Sequence, residues 1–333
     1  MNSGPTRDRG DERASASFSE QYARKKPPRW RRILSVETLQ SILTFVIALA
    51  LLVLVAYLGY VALDRSGRLA NPPRPAFGST GPGPPEGTLP VDLVSEDGTS
   101  IAGWYVPSTA RRADTAVVLV HGWGGAKGDL VPVAKALRSD YDVLLIDLRG
   151  HGYSGDSAVT LGPAEAEDVS AAVDEVLKRG ARKVALFGVG MGGAAALAEA
   201  RGDPRVGAVA IDAPWPRVAE GIAQQLEEDG LPLSWPGDWA VVLGMLFRTG
   251  RDVTSADVAD SIGEVTIPVL LMAPADDPLL SKATLDGLAA RDATLTTWTP
   301  PAATDGNSAA TISAAATERL QAFLKGAFDA KTP

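Results

Sequence analysis

The chain has no cysteine and only two histidines in 333 residues. The first absence excludes disulfides, thiolate metal sites and a cysteine nucleophile. The second leaves too few imidazoles for a histidine-built metal centre, and no motif implies a cofactor. Positive charge is also short. There are 32 lysines and arginines against 40 acidic residues, for a net charge of −8 and a pI near 5.0, which argues against nucleic acid as a partner. What is present is a globular composition, 45% hydrophobic and 22% charged, and this excludes disorder throughout.

The charge is unevenly placed. Residues 1–37 carry nine basic and five acidic side chains, leaving 23 and 35 for the rest. Directly after this segment, residues 38–63 read TLQSILTFVIALALLVLVAYLGYVAL, 26 positions without a charge. About 20 apolar residues cross the hydrocarbon core of a bilayer as a helix, so 38–63 is expected to be a transmembrane helix. The run is too long for the apolar region of a signal peptide, and no small-residue cleavage site follows it. The cluster RKKPPRWRR at 24–32 outweighs Arg65, Arg68 and Arg74 on the other side. By the positive-inside rule the N-terminus is expected in the cytoplasm and the remainder outside it. Trp30 and Tyr60 are placed as interface anchors, and the bilayer is the expected partner of 38–63. Residues 1–37 form a basic tail too polar to build a core, and 64–87 a Pro/Gly-rich linker.

From residue 88 the pattern changes to alternating strand-like and helix-like segments. LPVDLV and TSIAGWYV around the EDG turn at 96–98 predict a β-hairpin. AVVLV (116–120), VLLID (143–147), KVALFG (183–188), VGAVAI (206–211), IPVLLMA (267–273) and TLTTW (294–298) are short apolar runs. Such runs suit strands of a parallel sheet buried on both faces. Between them PAEAEDVSAAVDEVLKRG (163–180) has proline at its start, glycine at its end, and Val169, Val173, Val176 and Leu177 on one face, predicting a crossover helix. The fold class is α/β. The interval of about fifty residues at 214–266 is too long for a loop and predicts an inserted cap. Trp215, Trp235 and Trp239, with Leu243, Met245 and Phe247, are expected either to roof a cleft or to pack the cap on the body.

Three motifs follow successive strands: HGWGG at 121–125, DLRGHGYS at 147–154 and GVGMGG at 188–193. In this order and context the chain resembles the α/β-hydrolase fold superfamily, in particular bacterial proteins of the serine aminopeptidase and acyl-peptide hydrolase type, over about 88–329. The resemblance implies a mostly parallel sheet flanked by helices with a cap, and a GxSxG elbow exposing a nucleophilic serine. It also implies an oxyanion hole drawn from the His121, Gly122 and Trp123 loop and from Met191. Here the elbow carries Gly190 where the family carries serine. The acid position falls in APADDPLL at Asp277, with Asp276 as alternate. In PPAATDG, Ala303 stands where the family has histidine. Ser154, in the loop beside the cleft, is a poor substitute nucleophile.

Loss of a triad serine or histidine alone removes most of the acceleration. The sequence therefore points to a membrane-anchored pseudohydrolase at a bacterial envelope, its degenerate site binding a small acyl or carboxylate ligand, or its surface a protein partner. The alternative is an active ester or peptide hydrolase, or a lyase, with an unorthodox base such as Asp277 acting on water.

Overall fold

The computed structural model describes Met1 and residues 36–74, 83–110, 114–300 and 313–329. The basic tail up to residue 35 with Trp30, residues 75–82 of the linker, and the segment holding Ala303 lie outside the described residues. The chain divides into two compact units, 1–57 and 58–333.

The first described element is helix α1, Val36–Ala70. It is long and apolar enough to cross a membrane. Its residues Phe45, Leu52 and Val55 are among many exposed apolar side chains in the first unit. The helix runs seven residues past the expected end at Leu63, which corrects the reading of 64–70 as linker. Its last turns belong to the folded body: Val61, Ser66, Leu69 and Ala70 are buried, and the Ala70 carbonyl accepts the Val159 N–H at 2.9 Å. Arg74 donates to the Ser154 carbonyl at 3.0 Å. The body thus begins well before residue 88.

An eight-stranded sheet forms the centre, in the order β1-β2-β4-β3-β5-β6-β7-β8. The hairpin β1 (Leu89–Val94) and β2 (Ser100–Val106) is antiparallel. β2 also pairs antiparallel with β4 (Asp142–Ile146). β3 (Thr115–Val120), β4, β5 (Lys183–Val189), β6 (Val206–Asp212), β7 (Val269–Met272) and β8 (Leu295–Trp298) are mutually parallel. The continuous apolar runs mark the central strands because both faces are covered. On one face α2 (Val131–Leu137) and α9 (Ala314–Asp329) bury Leu137, Leu320 and Leu324 against Val117, Leu145 and Phe187. The other face takes α3 (Pro163–Lys178) and α4 (Met191–Gly202). At the start of α3 the expected proline occupies the first turn, and the buried Glu165 carboxylate accepts the N–H groups of Thr160 (2.9 Å) and Gly162 (2.7 Å).

Between β6 and β7 the cap is helical, with α5 (Val218–Glu228), α6 (Ser234–Thr249) and the short α7 (Val258–Ser261). Helix α8 (Lys282–Ala289) lies between β7 and β8. Trp215 is half-buried, its ring against Gly221. Of the other nominated cap residues, Trp235, Trp239, Leu243 and Phe247 face outward, which corrects both expectations for these four, while Met245 is buried.

The turn from β5 into α4 depends on close main-chain approach. A β-carbon at Gly188 would collide with the Gly192 carbonyl, and one at Gly192 with the carbonyls of Val120 and His121. We predict that Gly188→Ala destabilises the body by about 2–3 kcal/mol, read as a lower urea midpoint. An unchanged midpoint would show that the turn can relax.

Candidate functional site

The parallel strands end at one edge of the sheet, and a cavity of about 860 Å³ opens there. In open α/β sheets ligands collect at the carboxyl ends of the strands, because loops leave those ends in opposite directions. Its wall includes His121, Gly122 and Trp123 after β3, Gly190 and Met191 after β5, Asp212 at the end of β6, Asp276 and Asp277 after β7, and Leu69 of α1. The structure therefore brings together every described position that the sequence nominated. Ala303 lies outside the described residues.

Gly190 sits at the tip of the elbow with φ 52° and ψ −117°, conformational space that only glycine occupies without strain. A β-carbon there would meet only the Ala213 carbonyl, at 3.9 Å. The Gly190 N–H donates to the Asp212 carbonyl at 2.8 Å, joining elbow to β6. Met191 opens α4, so its N–H has no intrahelical acceptor. Neither that N–H nor the one of Trp123 meets an acceptor among the described residues.

The loop that carries Trp123 is held by two imidazoles. His121 is buried; its Nε2 accepts the Leu148 N–H at 3.0 Å while Nδ1 lies 2.7 Å from the Gly122 carbonyl. His151 mirrors it from the neighbouring loop. Its Nε2 accepts the Gly124 N–H at 3.0 Å, and Nδ1 lies 2.8 Å from the Arg149 carbonyl. An Nε2 that accepts is unprotonated, so both rings are neutral with the proton on Nδ1. Burial, and then the neighbouring His151, push the His121 pKa down to about 4. Burial likewise lowers that of His151. Neither ring has a free nitrogen for acid–base chemistry. The Trp123 indole N–H donates to the Leu69 carbonyl at 2.9 Å, tying the same loop to α1.

Beneath the loops lies buried charge. Lys127 is ion-paired with Asp147 and sits between the rings of Trp104 (4.8 Å) and Tyr153 (4.6 Å). Arg149 pairs with Asp168 and Asp97, each at 2.7 Å. The Ser154 hydroxyl donates to the Asp147 carbonyl at 2.6 Å and accepts the Ala102 N–H at 2.9 Å. It is structural, as its motif suggests.

The carboxylates of the cavity are not equivalent. Asp277 Oδ1 accepts the N–H groups of Leu279 (2.9 Å) and Leu280 (3.2 Å), so its charge is met by its own turn. Asp212, which the sequence reading passed over, differs. Burial raises its pKa to about 6, and among the described residues no hydrogen bond to its carboxyl group opposes that rise. Its signal was legible as an aspartate closing the apolar strand VGAVAID at the ligand-facing edge. Leu69 was missed because the helix was expected to end before it.

Asp129, Asp212, Asp276, Asp277 and Glu228 line the cavity, with no lysine or arginine among the lining residues. The undescribed 301–312 segment contains none either. The arrangement offers main-chain donors at one side and carboxyl groups around them.

These features agree with comparison to known proteins. The profile of the alpha/beta hydrolase family matches residues 117–325, and the chain belongs to that family. A pimeloyl-[acyl-carrier protein] methyl ester esterase of Xanthomonas campestris is 36% identical over 107 residues, 32% of this chain and 39% of that protein. The uncharacterised protein YfhR of Escherichia coli is 30% identical over 111 residues, 31% of this chain and 38% of that protein. The chain thus aligns with about two fifths of the length of these relatives. Among solved structures, an esterase of Pyrococcus furiosus superposes with a TM-score of 0.59 at 19% identity, covering 78% of this chain and 98% of that one. The hydrolase GrgF of a Penicillium species gives 0.53 at 20% identity, covering 73% and 99%. At such identities the likeness is one of fold.

The histidine geometry has a measurable consequence. An unfolded histidine titrates near pH 6.5, above the folded value of His121. The two rings therefore contribute full stability above about pH 6.5 and lose it as the pH falls toward 4. Asp212 acts in the opposite sense, its raised pKa favouring the fold as the pH drops below about 6. Imidazole ¹⁵N spectra resolve the rings directly. At neutral pH both should be Nδ1–H tautomers, with His121 protonating only near 4. A normal inflection at 6.5 for His121 would refute the assignment.

Proposed function

We propose that this chain is a membrane-anchored hydrolase-fold protein that binds a ligand without turning it over. The observation that carries the reading is Gly190 at the tip of the elbow, where no side chain exists to attack a carbonyl. Both histidines are committed to main-chain partners elsewhere, which leaves Ala303 without a substitute base. A side chain at the elbow would be strained by about 1–3 kcal/mol, and glycine is free of that strain. The resemblance to the serine aminopeptidase and acyl-peptide hydrolase branch supplies the ancestry.

The ligand class follows from charge. The free N–H groups of Trp123 and Met191 suit a neutral carbonyl oxygen, in the manner of an oxyanion hole. A free carboxylate is disfavoured, because among the described residues five carboxyl groups and no cation line the cavity. An ester or amide that carries a hydroxyl or ammonium group fits both sides. The ester-directed names of the Xanthomonas and Pyrococcus proteins are in keeping with a carbonyl of that kind. On this reading α1 spans a membrane with the N-terminus cytoplasmic and the body outside, which the length and apolarity of the helix and the basic cluster at 24–32 support. Protease added to intact spheroplasts should digest the body and spare the tail; the reverse pattern would overturn the orientation.

One observation favours a second reading, an enzyme with an unusual base: Asp212 has a pKa raised to about 6 beside the elbow, the value range of a general base. Activated esters separate the two. The native chain should neither turn over p-nitrophenyl esters nor react with a fluorophosphonate, while Gly190→Ser with Ala303→His should gain both activities. Asp277→Asn and Asp212→Asn in that background identify the orienting acid. Turnover by the native chain that disappears in Asp212→Asn or Asp277→Ala would replace binding by catalysis.

A further inference from the structure

Helix α6 carries apolar side chains on two opposite sides. Val241, Val242 and Met245 are buried in the body. On the opposite side Trp239, Leu243, Leu246 and Phe247 stand in solvent, preceded by Leu233 and Trp235, with Phe247 82% and Trp235 73% exposed. At 100° per residue the four helical positions form one stripe, and no charged side chain interrupts it. An exposed apolar stripe of this size on a helix marks a surface that contacts something other than water.

The surroundings say what covers it. Along one flank α6 crosses the last turns of α1 at glycine distance. A β-carbon at Gly244 would lie 2.7 Å from the Ala62 carbonyl and 3.0 Å from the Ser66 hydroxyl, and one at Gly237 would reach Val61 at 3.9 Å. Arg248 fixes the crossing by donating to the Leu63 carbonyl at 3.2 Å, and Arg65 of α1 pairs at 2.5 Å with Asp229 at the end of α5. Within the same folded unit α1 adds Tyr60 and Leu63, both exposed, to the apolar surface. The residues that α6 crosses belong to the helix that is long and apolar enough to cross a membrane. The mix of tryptophan, leucine and phenylalanine in the patch is that of helices lying in the headgroup layer.

We infer that the outer face of α6 is seated in the lipid surface beside α1, so that the cap is a second, interfacial membrane contact. This rests on the reading of α1 as a membrane anchor. Seating removes the exposed aromatics from water without requiring another protein. It also holds α5, which lines the cavity through Val218, Gln224 and Glu228, close to the lipid.

The absence of cysteine permits a clean test in the full chain. Leu243→Cys, Phe247→Cys and, as an aqueous control, Asp140→Cys each receive a nitroxide label, and the protein is reconstituted in palmitoyl-oleoyl phosphatidylcholine vesicles. Collision rates are read with oxygen and with a water-soluble nickel chelate. Labels at 243 and 247 should show an oxygen-to-nickel ratio several-fold above that at 140. Equal ratios at all three sites would place the face in water and overturn the inference. Shielding from both reagents, with spin–spin broadening that grows with the protein-to-lipid ratio, would mean that a second copy covers the face, which overturns it too. Alkaline carbonate washing of the same vesicles reports the anchor alone. Release of the protein sinks the reading of α1, whereas retention with equal ratios sinks only the cap contact.

Discussion

The cavity exists because two loops that leave adjacent parallel strands are locked to each other. Each contributes one imidazole that accepts a main-chain N–H from the other: His121 from Leu148, and His151 from Gly124. Such exchange works only while both rings are neutral, and burial keeps them so. The buried Lys127–Asp147 and Arg149–Asp168 pairs anchor the same loops from below. A pair of this kind is costly to break, since removing one partner strands the other charge in a low-dielectric interior. The main-chain donors at Trp123 and Met191 owe their position to this lock and to the glycine turn after β5.

Charge then separates this cavity from a general anion receptor. The main-chain donors alone would attract carboxylates. Five surrounding carboxyl groups oppose that. Asp212 stands apart because no hydrogen bond from the described residues satisfies it, whereas Asp277 has been absorbed by its own turn. In an active triad the acid orients a histidine. With no histidine to orient, Asp277 instead satisfies backbone donors.

Helix α1 joins this machinery to the membrane question. Its last turns do more than lead into a tether: Leu69 lines the cavity and takes the Trp123 indole hydrogen bond, and Val61 and Ser66 pack under the cap. Movement of the helix end relative to the body would therefore be felt at the loop carrying Trp123. The cap shares this junction through Gly244 and Arg248.

Much of the fold was legible in the chain itself. Continuous apolar runs mark strands buried on both faces, and all six expected core strands and the β1–β2 hairpin are present with ends shifted by a few residues. The crossover helix declared itself through proline, glycine and a valine stripe, and the long uncharged run through its length. Gly190, Asp277, His121 and Trp123 were reachable because each follows a strand, and strand ends converge in a parallel sheet. Other features depend on residues far apart in sequence. Periodicity marks a side chain as apolar but does not say which face finds a partner, so the outward turn of Trp235, Trp239 and Phe247 was hidden. The junction of α1 with the cap brings Ser66 to Gly244, and the isolation of Asp212 reflects what fails to approach it. The sequence by itself determined the elements and the missing side chain at the elbow, because local pattern encodes both. Only the tertiary structure decided which histidines are spent, which carboxylate is free and which hydrophobic face is left uncovered, because each is a property of neighbours that the chain order does not place together.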